Sequence, residues 1–254
     1  MVKIFGKIQG ANLTIVTVSS STEDCIDSCF NKKECILAYM NSNNNCLQYQ
    51  YKNVETIKVT EGSRMESGNT YVAFKTLLPS ETCPSSYQDI YFHIIVNNET
   101  VNWVKTSNGW TFQKCRDGWN KFTRTDGVIV CMQVFLLQNT ISRKDAKTTC
   151  AEEDAVLSGL SSKEELDWVI AKRSKADVIW IDGMRSCPNN DECQIFTWTD
   201  GYTQNSTLLQ NADLSYTFDD MPENCLVAAG DNINDVSCTR FDNVTGVACG
   251  YRLS

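Results

Sequence analysis

The sequence predicts an α+β fold in two disulfide-stapled parts: a small module at residues 1–78 and a larger domain at 115–254, separated by a connector at 79–114. Three observations carry this. The 13 cysteines fall into two groups, Cys25, Cys29, Cys35 and Cys46, then Cys115, Cys131, Cys150, Cys187, Cys193, Cys225, Cys238 and Cys249, with Cys83 alone between them. Pro79, Ser80, Pro84, Ser85 and Ser86 punctuate the stretch after Leu78, as in a linker. Each cysteine group combines capped helix patterns with short β-like runs.

In the first module, Thr22 is placed to cap a short helix whose first turn carries Glu23 and Asp24. Acids there suit the positive end of the helix dipole. Cys25 and Cys29 are four apart and share a helix face, beside an apolar face of Ile26 and Phe30. Residues 35–40 and 46–51 read as strands joined by an Asn-rich turn at 41–45, and Val72-Ala73-Phe74-Lys75 closes the module. Two thiols on a helix and one on each of two strands staple helix to sheet. The expected pairing is Cys25–Cys46 with Cys29–Cys35, one of three that four cysteines allow; sequence does not choose among them.

The second part opens with a turn at Cys115–Trp119 and a strand ending at Cys131. A helix follows Ser142, with Asp145 near a capping-box position and Ala146, Cys150 and Ala151 along one side. A second helix follows Ser162, with Glu165 completing a capping box and Leu166, Val169 and Ile170 forming its apolar stripe. Strands are expected at 178–181, 196–198, 225–229 and 247–251, around a long polar loop from Gly201 to Asn224. A Cys187–Cys193 disulfide closes a small loop around Pro188.

Composition narrows the function. This cysteine density points to disulfides in an oxidising, extracellular compartment. Zinc is disfavoured, because no C-x-x-C occurs and His93 is the only histidine. The net charge of −8 and pI of about 4.8 argue against nucleic-acid or anionic-membrane partners. The longest apolar run, 128–137, includes Gln133 and is too short for a membrane span. Secretion is expected even though Gly6, Lys7, Gln9, Gly10 and Asn12 interrupt any signal-peptide core in residues 1–20. Sequons at Asn12, Asn98, Asn205 and Asn243 permit glycosylation.

From Cys115 onward, the motifs resemble those of a long-form C-type-lectin-like domain and come in that family's order. They are Cys115 with Gly118-Trp119, Cys150 on the first helix, Glu164-Glu165-Leu166, Trp180-Ile181-Asp182-Gly183, Phe196-Thr197-Trp198-Thr199-Asp200-Gly201 and Asn234-Asp235-Val236-Ser237-Cys238. The resemblance implies two helices, two small antiparallel sheets and a long loop. It also implies the disulfides Cys115–Cys131, Cys150–Cys249 and Cys225–Cys238. Cys83 is then left over, as a free thiol or as the bridge of a disulfide-linked dimer. The first module resembles a PAN/apple-like module of the CW type, and the pair resembles secreted nematode C-type lectins.

In that lectin family, calcium joins protein oxygens to sugar hydroxyls, a role that suits a hard ion with six to eight oxygen ligands. The resemblance assigns Glu223, Asn234 and Asp235 as metal ligands, with Asp219 or Asp220 as substitutes from the loop. The Glu-Pro-Asn of calcium-binding members is absent, and Ile233 stands where Trp is usual. Calcium binding is therefore expected to be weak at best. The competing reading makes Glu223 a surface acid and Asn234-Asp235 a turn before a strand.

No catalytic constellation is visible. His93 lacks a nucleophile partner, the carboxylates Glu152, Glu153 and Asp154 suit a solvated helix face, and Trp103, Trp110 and Trp119 suit core packing better than sugar stacking. The expectation is a non-enzymatic, extracellular protein recognising a glycan or glycoprotein, in a setting such as host defence. The alternative is a calcium-independent protein–protein module that has lost sugar coordination.

Overall fold

The structure is a computed structural model that describes residues 1–9, 21–78, 84–96, 99–174, 178–187, 193–204, 207–212, 214–215, 217–218, 221–239 and 243–253. The chain divides into two compact units, Met1–Asp117 and Gly118–Ser254.

The first unit comprises β1 (Val2–Gln9), α1 (Thr22–Asn31), β2 (Cys35–Met40), β3 (Cys46–Gln50), β4 (Thr56–Glu61), α2 (Arg64–Ser67), β5 (Tyr71–Phe74), β6 (His93–Val96), β7 (Glu99–Asn102), β8 (Val104–Thr106) and β9 (Gly109–Gln113). Seven strands form one sheet in the order β3-β2-β5-β1-β4-β9-β8, and β6 and β7 pair as a hairpin. Ser21, not Thr22, caps α1: its Oγ accepts from the Asp24 N–H at 3.1 Å. Disulfides Cys25–Cys46 and Cys29–Cys35 join α1 to β3 and β2.

The structure differs from the expected connector at 79–114, because His93–Val96, Glu99–Asn102, Val104–Thr106 and Gly109–Gln113 form β6 to β9. Phe92, Ile94, Val96, Val101, Trp103, Trp110 and Phe112 are buried in the first core. Phe74 stacks on Phe92 at 4.5 Å and meets Trp103 edge-on at 4.8 Å. Fully burying such a side chain contributes about 1.5–3 kcal/mol, so this segment is held to the sheet by its apolar residues. Gly109 permits the closest approach: a Cβ there would lie 1.9 Å from the Val59 carbonyl oxygen.

The second unit comprises β10 (Asn120–Thr123), β11 (Ile129–Leu136), α3 (Arg143–Glu152), β12 (Val156–Leu157), α4 (Lys163–Ala171), β13 (Val178–Arg185), β14 (Phe196–Thr197), β15 (Thr217–Phe218), β16 (Met221–Pro222), β17 (Cys225–Ala229), β18 (Asn232–Val236) and β19 (Val244–Arg252). In place of two small antiparallel sheets there is one eight-stranded sheet and a β15–β16 ribbon. The cause is β13, which pairs parallel with β19 on one side and antiparallel with β17 on the other. Its residues alternate between two cores: Ile179 and Ile181 join Leu226 and Ala228 in one, and Trp180 joins Val227 and Val247 in the other. That explains the nearly continuous apolar run, as expected for a strand buried on both faces.

Cys150–Cys249 ties α3 to β19, Cys187–Cys193 closes the loop after β13, and Cys225–Cys238 spans the β17–β18 pair. Cys115 and Cys131 are also disulfide-bonded. Cys83, Asp219, Asp220 and the sequons at Asn12, Asn98 and Asn205 lie outside the described residues. Asn243 is described and exposed.

Candidate functional site

The long loop from Gly201 to Asn224 leaves the sheet beside β14 and returns to β17. Its departure is fixed by buried charge. Asp200 accepts from the N–H groups of Gly159 at 2.8 Å and Thr203 at 2.8 Å, and from the Thr203 hydroxyl at 2.6 Å. Arg124 donates to that hydroxyl at 2.7 Å and grips Glu165 with two bonds of 2.8 and 3.0 Å. Ser162 caps α4 through the Glu165 N–H, but the Glu165 carboxylate turns to the Ser161 N–H and to Arg124, so the expected capping box is half made. Asp182 accepts from the Thr199 hydroxyl at 2.6 Å and pairs with Arg143 at 3.3 Å. Asp182 thus anchors the segment leading into the loop.

The return limb converges on Arg185, a residue that the sequence did not single out. A bulge between Trp180 and Met184 sets its direction. Gly183 supplies the bulge, with φ of +120° and no room for a Cβ, which would meet Leu226 Cδ1 at 2.4 Å. The Arg185 guanidinium donates to the carbonyls of Cys193, Ser215 and Glu223 and to the Asp235 carboxylate, the Glu223 carbonyl lying 2.7 Å away. It also lies over the Phe196 ring at 4.6 Å. Its side chain is 3% exposed and that of Asp235 is 0%.

The structure brings Glu223 and Asp235 together through Ser215: its N–H donates to Asp235 Oδ1 at 2.9 Å and its hydroxyl to Glu223 Oε2 at 2.5 Å. Neither acid fits the competing reading, since Glu223 is buried and Asp235 lies within β18. Asn234 is half-buried and takes no part in these hydrogen bonds among the described residues. Burial raises the Asp235 carboxyl above its ordinary value, outweighing the Ser215 N–H and the Arg185 guanidinium, which lower it.

These oxygens do not fit calcium with Arg185 in place. Both Asp235 oxygens, one Glu223 oxygen and the Glu223 carbonyl already accept hydrogen bonds. A divalent ion about 4 Å from the guanidinium would also be repelled by roughly 8 kcal/mol at an effective dielectric of 20, twice the value for two unit charges. Among the described residues, no group of three or more His, Cys, Asp or Glu is placed to hold a metal.

A cleft of about 740 Å³ opens between β14 and the loop. It is lined by Phe196 and Trp198, by Leu209 and Leu214, and by Gln204 and Gln210; among the described residues none of its lining is charged. The Trp198 Nε1 is buried without a hydrogen-bond partner among the described residues. Gln194 holds the far wall by donating to the Leu214 carbonyl at 2.9 Å. By contrast, His93 lies in β6 of the first unit with Nδ1 against the Tyr91 carbonyl, Trp103 and Trp110 are core residues, and Glu152 to Asp154 are exposed.

Two family models match the chain. The PAN-like domain matches residues 1–76, and the C-type lectin domain matches residues 139–249. Both families are non-catalytic. No curated protein matches. Similar solved structures include the cow C-type carbohydrate-recognition domain of CD23 with an oligosaccharide, at 19% identity, covering 56% of this chain and 97% of that one, with a TM-score of 0.42. A calcium-dependent type II antifreeze protein in its calcium-free form matches at 23% identity, covering 54% and 99%, with a TM-score of 0.39. A calcium-independent type II antifreeze protein matches at 18% identity, covering 54% and 94%, with a TM-score of 0.36. Disulfide-rich PAN-like and lectin-type domains are typical of extracellular proteins. No helix among the described residues is long and apolar enough to cross a membrane.

Proposed function

We propose that the lectin-type unit recognises an uncharged glycan, free or carried on a glycoprotein, outside the cell, with the cleft beside β14 as its binding site. The cleft carries this reading. Sugar rings present C–H faces and neutral hydroxyls, which call for an aromatic or aliphatic surface beside groups that both donate and accept. Phe196, Trp198, Leu209 and Leu214 supply the first, and the amides of Gln204 and Gln210 the second. Binding sites commonly sit in loops held by a rigid scaffold, and both limbs of this loop are anchored by buried ions. A role in host defence belongs to the same proposal.

The test is a glycan array probed with oxidised protein, with and without EDTA, followed by titration of the best ligand. Binding is expected to survive EDTA. Gln204→Ala/Gln210→Ala is expected to weaken it about tenfold, the loss of roughly 1.4 kcal/mol of hydrogen bonding, with thermal unfolding unchanged. A second reading, a calcium-independent protein–protein module, is favoured by the engagement of Glu223 and Asp235 with Ser215 and Arg185. An array without hits, together with capture of a partner that free sugars do not displace, would favour that reading.

A further inference from the structure

We propose that Arg185 is a built-in cation: its guanidinium takes the place of calcium, holding the return limb of the long loop so that the unit works without metal. A calcium ion in such a site has two tasks, to neutralise buried carboxylates and to gather oxygens from separate segments around one positive centre. Arg185 performs both. Its Nη2 pairs with buried Asp235 and meets the Ser215 carbonyl, its Nε donates to the Glu223 carbonyl at 3.1 Å and its Nη1 to the Cys193 carbonyl, so it collects three segments of the chain other than its own strand.

Geometry sets this apart from an ordinary ion pair. A guanidinium offers five N–H donors in a rigid plane and no acceptor, so it can face several oxygens at once as a metal ion does. Arg185 is aimed there by the bulge at Gly183, and Phe196 closes one side of the guanidinium. Ser215, on the loop itself, donates to both carboxylates, so Asp235, which pairs with the guanidinium, and Glu223, whose carbonyl the guanidinium meets, also hold the loop. The cleft residues Gln210 and Leu214 lie just before Ser215 on the same limb, so the order of the cleft depends on this contact.

The inference concerns loop order and cation response, so it is tested apart from glycan binding. Wild-type protein is titrated with calcium by calorimetry, and its thermal unfolding and the proteolysis rate of the 204–215 segment are measured in excess calcium and in EDTA. No heat and no shift are expected. Arg185→Met leaves the Asp235 carboxylate without its cation and the Glu223 carbonyl without its donor. It is expected to unfold at lower temperature, to be cut at least tenfold faster in the segment, and to acquire calcium binding that restores much of both. A variant that loses stability but gains no calcium response would make Arg185 a structural residue only and overturn the proposal. So would stoichiometric calcium binding to wild type that Asp235→Asn abolishes. If Arg185→Met does not fold in EDTA, refolding in calcium is the readout: folded protein supports the proposal, and continued failure overturns it. Arg185→Lys keeps the charge but not the fork, and is expected to stay calcium-insensitive with intermediate loop order.

Discussion

Among the described residues, the ion pairs of the PAN-like unit stay at the surface, whereas most of those of the lectin-type unit are buried. Lys3–Glu23, Lys114–Asp117 and Arg116–Glu55 each include an acid at least 44% exposed. Arg124–Glu165, Arg143–Asp182 and Arg185–Asp235 have side chains no more than 7% exposed, and all three touch the long loop or the strand that leads into it. Desolvating a pair costs about what the pair returns, so buried pairs are poor sources of net stability. They do penalise every arrangement that separates the charges. The first unit, whose core holds a cluster of packed aromatics, needs no such device. The second must hold a long, polar segment in one conformation, and uses charge to specify it.

The disulfides sharpen the contrast. Cys150–Cys249 closes a separation of 99 residues, and Cys29–Cys35 one of 6. Chain entropy gives about 4.7 kcal/mol for the first and about 2.4 kcal/mol for the second. Replacing each pair by Ala and following hydrogen exchange unit by unit is expected to give losses in that ratio, each confined to its own unit. Equal losses would mean that loop length is not what these bonds contribute.

The ion pairs themselves provide the next test. Arg124→Met strands Glu165 in the core and is expected to destabilise the lectin-type unit by about 3–5 kcal/mol in denaturant unfolding. Lys3→Met removes a solvated partner of Glu23 and is expected to cost the PAN-like unit less than about 1 kcal/mol. If the two substitutions cost the same, burial of charge is not what separates the units.

The features legible in the sequence were the local ones. Ser142 and Ser162 announced α3 and α4 because a cap and its partner lie three residues apart. Cysteine spacing gave the two stapled regions, and the apolar run at 178–181 gave β13. In residues 2–9, the strand β1 was hidden by the same Gly6 and Lys7 that interrupt a signal peptide; Gly6 packs where a Cβ would lie 2.7 Å from the Thr60 carbonyl oxygen. The short helix α2 was missed although Ser63 and Glu66 form a complete capping box. Arg185 was invisible for a different reason. Its partners lie at 193, 215, 223 and 235, up to 50 positions away, and nothing near Arg185 distinguishes it from a surface arginine. Glu223 and Asp235 were found through family resemblance, which carried the acids but not the arginine that pairs with Asp235.

The smallest effect tests the surface side of the comparison with a single carboxylate. Glu66 is exposed, and its hydrogen bonds to the Ser63 N–H and hydroxyl region hold its carboxyl below the ordinary 4.5. A depressed carboxylate stabilises the folded state above its unfolded pKa, and that contribution is lost as pH falls through the folded pKa. The window therefore lies below about pH 4.5 and touches only α2 and its cap. An NMR titration is expected to place Glu66 below 4.5 in wild type and to return it toward that value in Ser63→Ala, which removes the hydroxyl of the box. Asp235 meets the opposite influence, since burial raises it. The two acids thus mark two uses of charge: one is tuned by hydrogen bonds to solvent-exposed backbone and costs little to lose, while the other is kept from water and held between the Ser215 N–H and the Arg185 guanidinium.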